Sequence, residues 1–113
     1  MGYDLHITRA KWHFQNDGHW ITSAEWLGYI ERDPELHLAG YNGEHFVLWS
    51  GKSKYSEPWL DWWHGNIFSK NPDDAITDKM VCIARKLAAK VQGDDGEVYT
   101  GGGRENYIPA PSD

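Results

Sequence analysis

The sequence predicts an α+β domain in which a mainly antiparallel β-sheet carries two α-helices on one side. Short segments of strand-like alternation recur between glycine-containing turns, and two other segments show helical spacing with capping residues. A chain of 113 residues has room for one such domain and not for two. We therefore expect a single domain over residues 1–100. Residues 101–113 read as a Gly/Pro-rich tail, which should fray unless the domain or a partner holds it.

The first strand and the first helix are predicted near the N-terminus. Residues 3–9 alternate between apolar and polar side chains, which is the pattern of a half-buried strand. A helix is expected over about 22–32, because Thr22 and Glu25 have the spacing of a capping box. Pro34 ends that helix, since proline disfavours helical geometry in the residue before it.

In the middle of the chain, apolar segments that flank turn residues predict two pairs of strands. Apolar residues over 36–38 and 46–49 flank the glycines of 40–43, as expected of a hairpin. Residues 59–63 form a further strand candidate, and the following His-Gly-Asn turn leads into 67–69.

The second helix is predicted over about 72–91 from apolar residues at helical spacing. Asn71 is placed as its N-cap, Pro72 opens its first turn, and Gly93 fits the position after its C-terminus. A last strand is expected over 97–100.

Charge and composition narrow the functional class. The net charge is −6. The basic residues that share the second predicted helix follow acidic residues at its start, which is typical of a solvated helix face, so we expect no nucleic-acid partner and favour a basic one. No apolar run approaches the roughly 20 residues of a membrane span, and the N-terminus lacks the pattern of a secretory signal. The single cysteine, Cys82, excludes an internal disulfide framework. These features favour a cytoplasmic protein without membrane association.

Histidines and glycines are the candidates for metal, cofactor or acid–base chemistry. The six histidines are His6, His13, His19, His37, His45 and His64. None of them forms a helical metal-binding pair, and the glycine-rich segments lack a phosphate-loop lysine, so no metal and no cofactor is predicted. Asp4 and His6 fall on the same face of the first predicted strand. A carboxylate beside an imidazole is a minimal acid–base pair, which leaves a small hydrolase-like enzyme as an alternative.

Residues 59–64 are the segment most indicative of binding. Trp59, Asp61 and Trp63 share one face of the predicted strand, while Trp62 lies on the other. One face of the strand can pack in the core. The tryptophan on the opposite face must then be covered by another element or be exposed to solvent. Exposed tryptophan beside aspartate is the composition of a protein-interface hot spot, and it also suits stacking on a sugar ring.

Several segments resemble a group of small, acidic bacterial proteins; they are residues 2–9, 25–27, 33–36, 65–73 and 93–99. In size, acidity and the lack of a catalytic signature, the chain also looks like immunity proteins of bacterial polymorphic-toxin or contact-dependent growth inhibition systems. The resemblance implies a non-catalytic protein that occludes the active site of a basic toxin domain. The resemblance identifies no toxin-binding residue in this chain.

The functional prediction is therefore a binding protein without catalytic residues. The alternatives are an aromatic carbohydrate-binding module and an enzyme that uses the pair His6 and Asp4. The predicted partner-binding residues are Trp59, Asp61, Trp63, His64, Asp94, Asp95 and Glu97.

Overall fold

The computed structural model describes residues 2–111, which form eight strands and two α-helices. The strands are β1 (Asp4–Thr8), β2 (Leu36–Leu38), β3 (Val47–Trp49), β4 (Trp59–Trp63), β5 (Asn66–Lys70), β6 (Lys90–Gly93), β7 (Val98–Tyr99) and β8 (Tyr107–Ile108). The helices are α1 (Ser23–Arg32) and α2 (Asp74–Lys86), and a short 3-10 helix spans Gly40–Asn42. The strands form one antiparallel sheet in the order β2-β3-β4-β5-β1-β6-β7-β8. The predicted α+β class is confirmed.

The N-terminal strand β1 lies inside the sheet and pairs with β5 on one side and β6 on the other. Ile7 is the partner of Ile67 in β5 and of Val91 in β6, and all three are buried. These side chains share one core cluster with the apolar residues of both helices. Because neighbouring residues of a strand point to opposite faces, Asp4 and His6 lie on the other side. We call that helix-free side of the described sheet the open face.

The start of α1 follows the predicted capping box. The Thr22 hydroxyl accepts a hydrogen bond from the Glu25 amide, and the Glu25 carboxylate accepts one from the Thr22 amide, both at 3.0 Å. Glu25 also receives two hydrogen bonds from the guanidinium group of Arg9, just after β1. The cap therefore joins α1 to the end of the central strand.

The second helix is shorter at both ends than the sequence pattern indicates. Its N-cap is Asp73, whose carboxylate accepts a hydrogen bond from the Ile76 amide, instead of the predicted Asn71. At the other end α2 stops at Lys86, short of the predicted end at 91. Val91 continues the apolar spacing of the helix, but it lies in β6, where tertiary pairing outweighs local periodicity.

The C-terminus of α2 has an alanine where glycine is more usual. Ala88 adopts a left-handed conformation with φ of 53°, and the Ala89 amide donates to the Ala84 carbonyl at 2.8 Å. This bond is that of a Schellman motif. Gly93, predicted at this position, instead ends β6.

The C-terminal segment is held by the domain as far as it is described. Its strand β8 pairs with β7 at the edge of the sheet. The Asp78 carboxylate in α2 accepts hydrogen bonds from the amides of Gly102 and Gly103, at 3.0 and 2.8 Å. The segment predicted as a tail thus contributes a strand, and its residues 112–113 lie outside the described part.

Residues 10–20, which we call the crossing loop, pass over the open face between β1 and α1. The buried side chain of Gln92 in β6 accepts a hydrogen bond from the His13 amide and donates one to the Lys11 carbonyl. Farther along, Trp12 lies against Gly96 in the β6–β7 turn. Within residues 2–111, neither helix has the length and apolar character needed to cross a bilayer.

Gly96→Ala should destabilise the fold more than Gly18→Ala. Both glycines have positive φ, at 88° and 80°, so both variants incur backbone strain of about 1 kcal/mol. A Cβ atom at Gly96 comes within 2.4 Å of the Trp12 ring, whereas one at Gly18 meets nothing within 4 Å. We expect a further loss of about 1–3 kcal/mol for Gly96→Ala, measured by urea denaturation. Equal losses in the two variants contradict the role of the Trp12 contact.

Candidate functional site

A cleft of about 300 Å³ opens on the open face, where the crossing loop meets β1, β4 and β5. Its size is at the lower end of the range of small-molecule sites. The lining residues are Asp4, His6, His13, Phe14, Asn16, Trp63, His64, Asn66 and Phe68. The antiparallel register places His6 opposite Phe68, which is in turn opposite Asp61 in β4. The cleft thus brings both sequence-predicted candidate groups, the strand-β1 pair and the tryptophan segment, into one region.

The His6 ring is oriented by Asp94 in the β6–β7 turn. Its Nε2 lies 3.0 Å from Asp94 Oδ1, and the other carboxylate oxygen accepts a hydrogen bond from the Asp4 amide at 2.9 Å. Burial by itself raises the pKa of Asp94, but the hydrogen bonds from His6 and Asp4 outweigh it and hold that pKa below its usual value. The sequence paired His6 with the Asp4 carboxylate, whereas in the structure its hydrogen-bonding partner is Asp94.

The His13 ring stacks on His6 with ring centroids 3.8 Å apart and an interplanar angle of 7°. Burial, reinforced by the neighbouring His6, lowers the pKa of His13 to about 4. Its Nε2 is buried and has no hydrogen-bond partner among the described residues. The backbone is fixed on both sides, since its amide donates to Gln92 at 2.7 Å and its carbonyl accepts from Asn66 at 2.8 Å. A neutral imidazole is thus held with one nitrogen uncommitted.

The rim of the cleft is aromatic and open to solvent. Trp63 is 65% exposed and Phe14 is 62% exposed. The His64 ring stacks on Trp63, with centroids 4.2 Å apart and an interplanar angle of 9°. Asn16 in the crossing loop donates a hydrogen bond to the His64 carbonyl at 2.6 Å, which joins the loop to the β4–β5 turn. This rim offers a flat aromatic surface beside polar groups.

The remaining tryptophans of β4 have different environments. Trp59 lies on the open face, stacked on Phe46 at 5.3 Å and edge-on to Phe68 at 5.6 Å. Trp62 faces the helices, and its indole N–H donates to the Ile21 carbonyl at 2.8 Å. Between these two, burial raises the pKa of Asp61 on the open face. Trp59 and Asp61 are therefore neighbours of the cleft and not part of its lining.

The acidic residues in and next to the β6–β7 turn also have different environments. Asp94 adjoins the cleft through His6, and Asp95 is exposed in the turn. Glu97 accepts hydrogen bonds from the hydroxyl groups of Tyr3 and Tyr99, the second at 2.6 Å. Burial favours a higher pKa for Glu97, but these tyrosine hydrogen bonds prevail and lower it. Its carboxylate thus stabilises contacts inside the fold.

Five cleft residues were given no role from the sequence: His13, which was considered only as one of six histidines, Phe14, Asn16, Asn66 and Phe68. The first three belong to the crossing loop, which has no periodicity to indicate the direction of its side chains. The sequence predicts Asn66 as part of a His-Gly-Asn turn. His6 and Asp94 are far apart in the sequence, and no local pattern predicts their pairing.

A larger groove of about 470 Å³ lies by Tyr29, Asp33 and Lys79, between the two helices. The ammonium group of Lys79 lies 2.9 Å from Asp33 and 2.6 Å from Glu35. Asp33 further accepts a hydrogen bond from the Tyr29 hydroxyl at 2.8 Å. These polar groups satisfy one another, so the groove is best explained as a structural ion-pair network.

Comparison of the chain with models of protein families, with curated proteins and with solved structures finds no match. The geometry and chemistry of the cleft are therefore the basis for assigning a function.

Gln92→Met should detach the crossing loop while preserving the volume of the side chain. The variant removes the acceptor of the His13 amide and one of the two donors to the Lys11 carbonyl, which keeps its bond from Lys90. The expected cost is about 2 kcal/mol in the free energy of unfolding. Amide hydrogen exchange over residues 11–14 should accelerate. The matched control is Gln15→Met, at an exposed position in the same loop, which should change stability by about 0.5 kcal/mol or less. Unchanged exchange in Gln92→Met contradicts the anchoring role.

His13 should make the stability of the fold depend on pH between about 4 and 6.5. Its pKa is about 4 in the folded protein, against about 6.5 in an unfolded chain. In that interval the unfolded state binds a proton that the folded state does not, so stability is lost as the pH falls. In urea unfolding, His13→Gln should lose less of its free energy of unfolding than the parent does between about pH 7 and pH 5. A chelator keeps bound metal ions from affecting the comparison. An unchanged slope contradicts a buried neutral His13.

Proposed function

We propose that this is a non-catalytic binding protein, and specifically an immunity protein that occludes the active site of a basic toxin domain. The observation that carries the proposal is the exposed aromatic rim at the cleft, where Trp63 and His64 stack in parallel. Tryptophan is the residue type most enriched among interface hot spots, particularly where it becomes desolvated in a well-packed pocket.

The rim is suited to burial against a partner. The side chain of Trp63 is held on one side by His64, and Phe14 stands exposed across the cleft. A stacked ring loses little conformational freedom on binding, so most of the free energy of its burial is available for affinity. Two exposed aromatic side chains around a recess can receive a protruding partner side chain between them.

The charge around the rim favours a basic partner. Asp4 lines the cleft, Asp94 adjoins it, and Asp95 is exposed in the neighbouring turn. Lys70, opposite Asp4 in the register, offsets part of this charge, but the whole chain remains at −6. Such a field accelerates association with a positively charged protein and disfavours acidic partners.

A carbohydrate-binding module is the second candidate, favoured by the combination of an exposed Trp63 ring with Asn16 and Asp4 in the same cleft. Sugars stack their apolar faces on aromatic rings and satisfy their hydroxyl groups with amides and carboxylates. The cleft volume of about 300 Å³ suits one or two sugar rings better than a longer chain.

Trp63→Ala should weaken binding of the cognate partner by about 30-fold or more, as expected of a central hot spot. The matched control is Tyr41→Ala, which removes a 76%-exposed ring from the 3-10 helix between β2 and β3. The test captures partners from native cells at modest salt with the parent and both variants, and then measures each affinity with purified components. A basic protein should bind the parent and Tyr41→Ala one-to-one, and co-expression with the parent should abolish its toxicity.

Two results decide against the immunity function. A partner that binds Trp63→Ala and Tyr41→Ala equally well contradicts the role of the rim. If no protein partner is retained but oligosaccharides change the tryptophan fluorescence of the parent and not of Trp63→Ala, the carbohydrate-binding function replaces the first proposal.

A further inference from the structure

We propose that His6, His13 and Asp94 form a binding site for one divalent transition-metal ion of the zinc class in the cleft. One ligand atom from each residue, two imidazole nitrogens and a carboxylate oxygen, lies within 4.8 Å of the other two. The three residues come from β1, the crossing loop and the β6–β7 turn, so the fold alone brings them together. The proposal does not depend on a protein partner.

The His13 imidazole supplies an uncommitted ligand atom. Its Nε2 is buried and lacks a hydrogen-bond partner among residues 2–111. Buried polar atoms are nearly always paired, and an exception beside a histidine and a carboxylate points to a ligand. A metal ion bound at this nitrogen removes the exception.

The surroundings of the three residues hold them in place. The Asp94 carboxylate uses Oδ2 to accept the Asp4 amide at 2.9 Å, which leaves Oδ1 directed at His6. The backbone of His13 is fixed by Gln92 and Asn66. Hydrogen bonds to ligating groups are what orient the ligands in metal sites of proteins.

The distances require only a small rearrangement. His6 Nε2 and Asp94 Oδ1 are 3.0 Å apart. Two tetrahedral zinc ligands at about 2.0–2.1 Å from the ion are separated by about 3.3 Å. The ion takes the place of the hydrogen in this bond. A neutral ring moves that proton to its Nδ1, and a doubly protonated ring releases it to solvent.

The stacked rings must turn for both to coordinate. Imidazole lone pairs lie in the ring plane, and the planes of His6 and His13 are only 7° from parallel. The terminal torsion of a histidine side chain is soft, so this turn costs little. Metal binding should therefore break the stack.

The donor set favours zinc-class ions over Mg²⁺ and Ca²⁺. Two imidazoles and one carboxylate suit Zn²⁺, Co²⁺ or Ni²⁺, whereas Mg²⁺ and Ca²⁺ prefer oxygen ligands alone. Three protein ligands leave a fourth position of a tetrahedral ion for solvent or a ligand. His6 and His13 both line the cleft.

The test is titration of chelator-treated, purified full-length protein with Zn²⁺ by calorimetry and with Co²⁺ by visible absorption. We expect one ion per chain, with d–d bands typical of nitrogen and oxygen ligands. His6→Gln, His13→Gln and Asp94→Asn should each weaken binding by about tenfold or more. The matched control is His37→Gln, at an exposed position in β2, which should bind as the parent does. Circular dichroism of the metal-free variants checks that each one folds.

The proposal is overturned if the folded parent binds no ion, or if folded His6→Gln and His13→Gln bind as tightly as His37→Gln does. Imidazole resonances in long-range ¹H–¹⁵N spectra give a second readout, since Zn²⁺ should shift the nitrogens of His6 and His13 together. Because the experiment uses the purified protein alone, its result is independent of whether a protein partner exists.

Discussion

The central position of β1 is the constraint on which the rest of the structure depends. Both edges of this N-terminal strand are paired, to β5 and to β6, so its register is fixed from two sides. A slip of one residue exchanges the buried Leu5 and Ile7 with His6 and its neighbours, which exposes core side chains and buries polar ones. The same alternation that builds the core therefore determines that His6 points into the cleft.

The second requirement is that the backbone N–H and C=O groups of the crossing loop find hydrogen-bond partners where the loop lies on the sheet. Gln92, with no exposed surface, meets this requirement by hydrogen bonds to both Lys11 and His13. The loop packs on the β6–β7 turn through Trp12 as well, and these bonds satisfy the backbone groups that would otherwise be buried without partners. Asn66 adds a bond from β5, and the loop then acts as a wall of the cleft. These hydrogen bonds thus tie the backbone of the loop to two strands of the sheet.

The sequence was sufficient for what is determined locally. The capping box at Thr22 and Glu25 and the alternation over 3–9 depend on residues a few positions apart, and both are found in the structure. The end of α2 was not predictable in this way, because Val91 satisfies the helical spacing and the strand pairing equally well. The site itself depends on pairing between Asp94 and His6, whose separation in sequence leaves no periodic signal. The sequence pointed to Trp63 and His64 as binding residues and to His6 with Asp4 as a pair, but not to the cleft that brings them together.

The cleft combines several features that are uncommon in folded proteins. It places a large aromatic side chain in solvent, stacks two imidazoles, and leaves a buried nitrogen without a partner among the described residues. His64, at its rim, has a positive φ of 46° although it is not a glycine. The larger groove at Lys79 shows none of these features, since its ion pairs are complete. Departures of this kind destabilise a fold and persist where binding or chemistry requires them. Their occurrence together in one recess is the physical reason to place the function there rather than in the larger groove.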